Sequence, residues 1–345
     1  MPGCKVLLPS TMWSITAYPT GFDCISLETG ERKTFFWDIT GPVFPFTVEQ
    51  DFLKRQVFIY GEATQGYFRF TFLREDKRIV LLIEKTPEEG LSLLDEKGYL
   101  QKTLFKGDQV ELFSDLSTSP LESKEQLFLG NNKKRDWEQI RKRRDPTEFL
   151  PLWHFVGQDY SSSLEGETGV FVDLLLALEK KIEAQDKNVL DLLSNLYFAG
   201  FSGGLVPRAN DEERQGLVPF TPFIKGQKVP PLLGKGAHLI RSLFFAEKEG
   251  VLSILPYLPS SFVFGKLLNI KTTDGCKIDL EWSKRQIRTM YIFSENKKTI
   301  HLRLPSDIKR YRLRSVMKDK GRMIEKGESF VMEPGQTLLL DRFQK

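Results

Sequence analysis

The sequence predicts an α+β multidomain protein with a β-sandwich-like N-terminal domain over residues 1–115, a short helical middle segment over 116–249 and a C-terminal β-sandwich over 250–345. Three observations carry this. Apolar and polar residues alternate with period two in the first and last thirds, the middle third carries apolar stripes at helical spacing, and Gly and Pro punctuate the borders. At 345 residues the chain suits two or three cores better than one.

The N-terminal third reads as strands. In GYFRFTFLRE (66–75), Tyr67, Arg69, Thr71 and Leu73 alternate with Phe68, Phe70 and Phe72. RIVLLIE (78–84) follows a polar turn, so the two predict an antiparallel pair. The shorter runs KVLL, SITAY, CISLE, KTFFW and QVFIY are spaced as sandwich strands are. Gly41-Pro42 and Phe44-Pro45 interrupt the middle and require an edge or a loop. The chain holds 27 Phe, whose rings suit the half-buried surface of a sheet.

SDLSTSPLESKEQ (114–126) reads as a linker. Beyond it, NNKKRDWEQIRKRRDP (131–146) predicts a basic helix with a narrow apolar face at Trp137 and Ile140. Asp145-Pro146-Thr147-Glu148 then has the form of a capping box with Asp as the cap, and Pro151 limits or kinks the helix it opens. Two stripes follow: Phe171, Leu174, Leu175, Leu178 and Ile182, then Val189, Leu192, Leu193 and Leu196, which predict an antiparallel helical pair. Residues 198–236 form a long Gly/Pro-rich loop, and helix returns over 237–247. In the last third, Asp274-Gly275 between two strand-like runs predicts a hairpin with a type I′ turn.

Composition narrows the setting. Cys4, Cys24 and Cys276 are odd in number and unrelated in spacing, which predicts neither a disulfide framework nor a metal site and suits a reducing compartment. The N-terminal apolar run is shorter than the roughly 7 to 15 residues of a signal peptide core, and no run reaches the roughly 18 of a membrane span. The expected location is therefore cytoplasmic. A net charge of +4 does not by itself require a nucleic-acid partner.

One stretch carries a resemblance. EGVLSILPYLPSSFVFGKLLNIKTTDGCKIDLEW (249–282) runs from a helix through Pro256 and Pro259, over Gly265-Lys266-Leu267-Leu268 and Asp274-Gly275, to Trp282. This resembles the junction of helical barrel and C-terminal β-domain in family 95 glycoside hydrolases, the α-L-fucosidase-like enzymes with an (α/α)6 barrel, mainly over residues 237–345. Cys276, Phe262 and Tyr257 depart from that family's usual residues at their positions. Twelve helices of about 11 residues with loops of about 5 need roughly 190 residues. Residues 116–249 supply 134, so the middle is shortened. No match to the family's catalytic motifs is found, and no catalytic residue is carried over from it.

Glycoside hydrolysis needs two carboxylates facing a sugar ring. The loop carboxylates Glu165 and Glu167 in SSSLEGETG and Asp211 and Glu212 in PRANDEERQG are the candidates, and a solvated surface accounts for the same residues. Trp153, His154 and Tyr160 are candidate sugar contacts with Arg208, although core packing is the commoner fate of such aromatics. No metal or organic cofactor is expected. The expected function is binding or hydrolysis of a glycan in a cleft between helical and β domains. The alternatives are a catalytically inactive scaffold or protein-interaction module that kept hydrolase-like β-domains, and nucleic-acid binding through residues 131–144. The last is the weaker alternative, since a solvated outer face or a partner surface is the commoner reason for such a basic run.

Overall fold

The alternation around Phe68, Phe70 and Phe72 builds the N-terminal core, because their rings fall on one side of a single strand and all three are buried. Phe72 meets Phe22 edge to face at 4.9 Å and Phe70 lies 4.8 Å from Trp37, so rings from two sheets interlock. The structure, a computed structural model, describes residues 3–114, 123–133, 135–208, 231–315 and 319–345. It divides into two units, one of Met1–Pro120 with Leu196–Pro230 and one of Leu121–Asn195 with Pro231–Lys345.

The first unit is a sandwich of two antiparallel sheets. One runs in the order Cys4–Leu7, Trp13–Tyr18, Gly21–Ser26, Arg32–Trp37, Leu91–Leu94 and Leu100–Leu104. The other runs Gln109–Phe113, Arg78–Lys85, Gly66–Glu75, Gln56–Ala63 and Phe46–Asp51. The proline-bearing segment 38–45 joins Arg32–Trp37 of one sheet to Phe46–Asp51 of the other, which is where a chain without ladder partners belongs. The predicted pair of 66–75 and 78–84 forms, with Glu75 opposite Arg78. Cys4–Leu7 is an edge strand, and the small ladder of Phe201–Ser202 with Val206–Pro207 lies against it. Gln50 secures that contact by donating from Nε2 to the carbonyls of Leu7 at 2.7 Å and Gly204 at 3.3 Å.

In the second unit, the helices are α1 (Trp137–Arg143), α2 (Pro146–Gly157), α3 (Val170–Glu183), α4 (Val189–Gly200) and α5 (Leu232–Phe244), with the division between units falling within α4. The basic helix is shorter than 131–144 because Asp136 caps it, accepting from Gln139 N at 2.9 Å, and Arg144 ends it in the left-handed region at φ 53°. Asp145 caps α2 as expected, yet the carboxylate of Glu148 turns to Arg143. A charged partner within reach outcompetes the reciprocal half of a capping box. Pro151 lies inside α2, which continues for 12 residues with one intrahelical bond missing. Helix α5 begins at Leu232, earlier than the return at 237 that its glycines suggest.

Those glycines are a packing device. A β-carbon on Gly236 would collide with the Trp153 indole, and one on Gly157 would meet Ala237 Cβ and the Leu233 carbonyl. Thus α2 and α5 approach closely, and Trp153 Nε1 donates to Leu232 O at 3.0 Å across the contact. The α5 C-terminus meets the first strands through Phe244, which stacks on Trp282 at 5.2 Å.

The β part of this unit holds two sheets. The larger runs Gln126–Phe128, Phe264–Lys271, Cys276–Ser283, Gln286–Ser294, Gln336–Gln344, Arg310–Arg314 and Arg322–Glu325. The smaller runs Phe245–Lys248, Val251–Ile254, Lys298–Arg303 and Phe330–Met332. Cys276, Ile278, Leu280 and Trp282 are buried and their alternate neighbours are not, as the period-two reading expects. The hairpin at Asp274-Gly275 exists, but only Gly275 has positive φ, at 84°. Gly275 N donates to Thr272 O at 3.1 Å, so the loop is longer than the two residues of a type I′ turn and the expected turn type is corrected.

Replacing Gly236 by Ala should lower stability by about 1 to 3 kcal/mol, since the indole it would strike is fully enclosed. A urea midpoint unchanged from the wild type would show that α2 and α5 can separate without loss.

Candidate functional site

A cleft of about 530 Å³ opens in the second unit between α2, α5 and the strands Phe245–Lys248 and Phe264–Lys271. Its polar lining includes Glu125, His154, Gln158, Tyr160, His238 and Arg241. Glu247, Lys271 and Thr273 line it from the strand side.

Glu125 is the centre of this lining. It precedes the edge strand Gln126–Phe128, and the Gln158 side chain fixes its backbone: Oε1 accepts from Glu125 N at 2.8 Å while Nε2 donates to Glu125 O at 2.9 Å. This is the pattern of a ladder, made by a side chain where the strand has not begun. Arg241, from α5, donates through Nε to both carboxylate oxygens of Glu125, at 2.9 and 2.8 Å, and through its second amino group to Lys271 O at 2.9 Å. Lys271 N donates to Glu125 Oε1 at 3.2 Å. The guanidinium also lies over the Phe245 ring at 4.7 Å, so charge and ring position Arg241 together.

His154 is buried below this pair. Its Nδ1 lies 3.3 Å from Ala237 O and its Nε2 lies 3.7 Å from Glu125 Oε2, beyond hydrogen-bond reach. Burial lowers its pKa, and Arg241 lowers it further, against Glu125 and the Ala237 carbonyl, which raise it. The neutral ring with Nδ1 donating to Ala237 follows, leaving Nε2 as an unsatisfied acceptor facing a carboxylate. At the rim, His238 is exposed and its pKa is also lowered, by burial of part of the ring and by Lys235 and Arg241, while Glu179 and Glu125 oppose. Glu247 accepts from Thr273 twice, from N at 2.9 Å and from Oγ1 at 2.6 Å.

The residues expected from sequence are dispersed. His154 and Tyr160 line the cleft. Trp153 is wholly buried against α5. Glu165 is exposed and Glu167 half-buried in the loop before α3, where their backbone N–H groups close local turns, and neither lines the cleft. Arg208 is buried in the first unit. Asp211 and Glu212 lie outside the described residues. Arg143 and, more weakly, Lys133 of the basic run both pair with Glu148, at 2.6 and 3.3 Å, and hold its carboxyl below the usual carboxylate range. Sequence reasoning missed Glu125, Gln158, Arg241 and Glu247. Glu125 sits among Ser, Pro and Glu in a stretch that reads as linker, and its partner is 116 positions away.

Residues 247–340 match the family model described as Glycoside hydrolase family 95, C-terminal domain. The C-terminal part of the chain is thus glycoside-hydrolase-related, as the junction motif implies. No curated protein matches the chain. Among solved structures, the crystal structure of Ara127N-Se, a GH127 beta-L-arabinofuranosidase from Geobacillus stearothermophilus T6, is similar at 16% identity and a TM-score of 0.22, over 50% of this chain and 30% of its own. The chain therefore spans about 30% of that protein's length.

Two outcomes are expected here. Arg241→Ala should destabilise by about 3 to 5 kcal/mol, because it strands a carboxylate only 11% exposed, and a Glu125→Leu/Arg241→Met double variant should recover most of that loss in urea denaturation. For pH, His154 has a folded pKa below its unfolded value, so the unfolded state binds more protons. Its contribution is full above about pH 6.5 and is lost as pH falls toward the folded value, by up to about 1.4 kcal/mol per pH unit. His238 adds a smaller, water-screened component of the same sign. Denaturation at pH 7 and pH 5.5 checks this, and an equal slope in His154→Gln would contradict it.

Proposed function

We propose that the cleft around Glu125 binds a neutral glycan and holds it without hydrolysing it. One observation carries this reading: the segment that matches the hydrolase C-terminal domain begins at Glu247, and three cleft residues, Glu247, Lys271 and Thr273, come from that segment.

The lining suits a polyhydroxylated ligand. Carboxylate, imidazole, ammonium and hydroxyl-bearing residues line the opening together with Tyr160, whose ring is the kind of surface on which a sugar stacks. Sugar hydroxyls donate and accept in the same molecule, which matches a wall offering both. Hydrolysis asks for something else, a carboxyl that gives up a proton to the leaving oxygen beside a second that acts as base or nucleophile. Both cleft carboxylates are used as acceptors: Glu125 by Arg241 and the Lys271 N–H, Glu247 by Thr273. That commitment favours binding over turnover.

Titration of the full chain against a panel of neutral oligosaccharides should give saturable binding, and Glu247→Gln with Tyr160→Ala should weaken it by roughly tenfold. Nitrophenyl glycosides incubated with the protein should release no nitrophenol above the buffer blank. Turnover would overturn the non-hydrolytic reading, and unchanged affinity in the double variant would remove the cleft.

A further inference from the structure

The first unit carries a second concave site, on the outer face of its six-stranded sheet. There the registers Tyr18↔Gly21↔Phe36 and Thr16↔Asp23↔Thr34 set two cross-strand rows side by side. Residues Phe22 and Cys24, between these positions, face the sandwich core, so Tyr18, Asp23, Thr34 and Phe36 face outward. A cavity of about 470 Å³ opens over them, lined also by Pro19, Thr20 and Arg32.

Each residue has a definite part. Gly21 separates the two aromatic side chains, and a β-carbon there would meet the Phe35 carbonyl and the Phe36 ring, so the slot between Tyr18 and Phe36 exists because this position has no side chain. Phe36 is 40% exposed, so part of its ring is open to a ligand. Asp23 forms the floor at 3% exposure. Its Oδ2 accepts from Arg32 at 2.7 Å and from the Tyr18 hydroxyl at 3.2 Å, and Oδ1 accepts from Thr34 Oγ1 at 2.7 Å.

The hydrogen-bonding inventory is not exhausted. Among the described residues Arg32 spends one of its five N–H donors, on Asp23, and its side chain is 60% exposed. Asp23 Oδ1 retains acceptor capacity, as do the hydroxyl oxygens of Thr34 and Tyr18. The site thus presents charge-assisted donors and acceptors within reach of one another, beside two aromatic side chains.

We propose that this outer face binds a neutral sugar residue, seated against the rings of Tyr18 and Phe36 with adjacent hydroxyls bonded to Arg32 and Asp23. Charge selects the ligand class. Asp23 and Arg32 nearly cancel, so an anion meets a carboxylate floor and a cation meets the guanidinium, whereas vicinal hydroxyls use both. The paired aromatic faces favour a ring with an apolar C–H side over an extended peptide. The ligand class rests on the carbohydrate reading of the cleft in the second unit, but the position of the site does not.

The test separates the two. An array of neutral and acidic oligosaccharides is probed with the labelled full chain, and a retained oligosaccharide is titrated by calorimetry against wild type, Arg32→Ala, Phe36→Ala and Glu247→Gln. Phe36 is exposed enough for its variant to fold, whereas Arg32→Ala removes the cation beside the buried Asp23 carboxylate, so urea denaturation of that variant accompanies its titration. The expected result is two classes of site in the wild type, with one class weakened roughly tenfold by Arg32→Ala or Phe36→Ala and untouched by Glu247→Gln. Wild-type binding in an Arg32→Ala/Phe36→Ala double variant overturns this site while leaving the cleft reading standing. Retention of acidic oligosaccharides alone overturns the charge argument and with it the proposal. An array on which the wild type retains nothing overturns both readings.

Discussion

The ion pair of Glu125 and Arg241 is the constraint on which the second unit's cleft depends. Arg241 leaves α5 and reaches, in one side chain, the carboxylate of Glu125, the carbonyl of Lys271 and the face of Phe245. Helix, edge segment and strand are thereby held at one point, and His154 is closed beneath it. Such a pair adds little net stability when compared with apolar residues of the same shape, because desolvating two charges offsets most of their attraction. Its effect is on position. Neither partner has an inexpensive alternative once the other is buried beside it, so the backbone must bring both to the same place.

The fold was legible wherever a pattern is local. Phe68, Phe70 and Phe72 announce a strand, the α3 stripe announces a helix, and Asp145-Pro146 announces the start of α2, because period and cap are written within a few residues. What escaped is written at a distance. Gly234 and Gly236 read as loop residues, yet they sit inside α5 because Ser161 and the Trp153 indole occupy the space their side chains would need. The turn at Asp274-Gly275 also followed its surroundings more than its dipeptide, with Thr272 supplying the carbonyl that Gly275 bonds.

The candidate sites show the same division. His154 and Tyr160 were found through their types in an aromatic run, and both line the cleft. Glu125 could not be found that way, since nothing in its neighbours distinguishes it from a solvated glutamate and its role comes from Arg241. The first unit's Asp23 is equally silent, a buried carboxylate in a strand that otherwise reads as apolar, and only the register with Thr34 and the reach of Arg32 give it meaning. In both places an ordinary acidic residue becomes distinctive through an arginine supplied from elsewhere. Chemistry of this kind belongs to topology more than to motif.

The ladder that rests against Cys4–Leu7 bears on how the chain is made. All eleven strands of the two N-terminal sheets lie before residue 114, whereas the segment seated beside their edge begins at Phe201. At about 5 to 20 residues per second, synthesis leaves on the order of ten seconds between the two. During that interval Cys4–Leu7 presents an uncovered sheet edge, the feature most apt to recruit another nascent chain. Gln50 has the Leu7 carbonyl within its own sandwich from the start, and Gly204 joins later. The ladder of Phe201–Ser202 with Val206–Pro207 is therefore a late seal, and the order of translation leaves the N-terminal sandwich most vulnerable before it is applied.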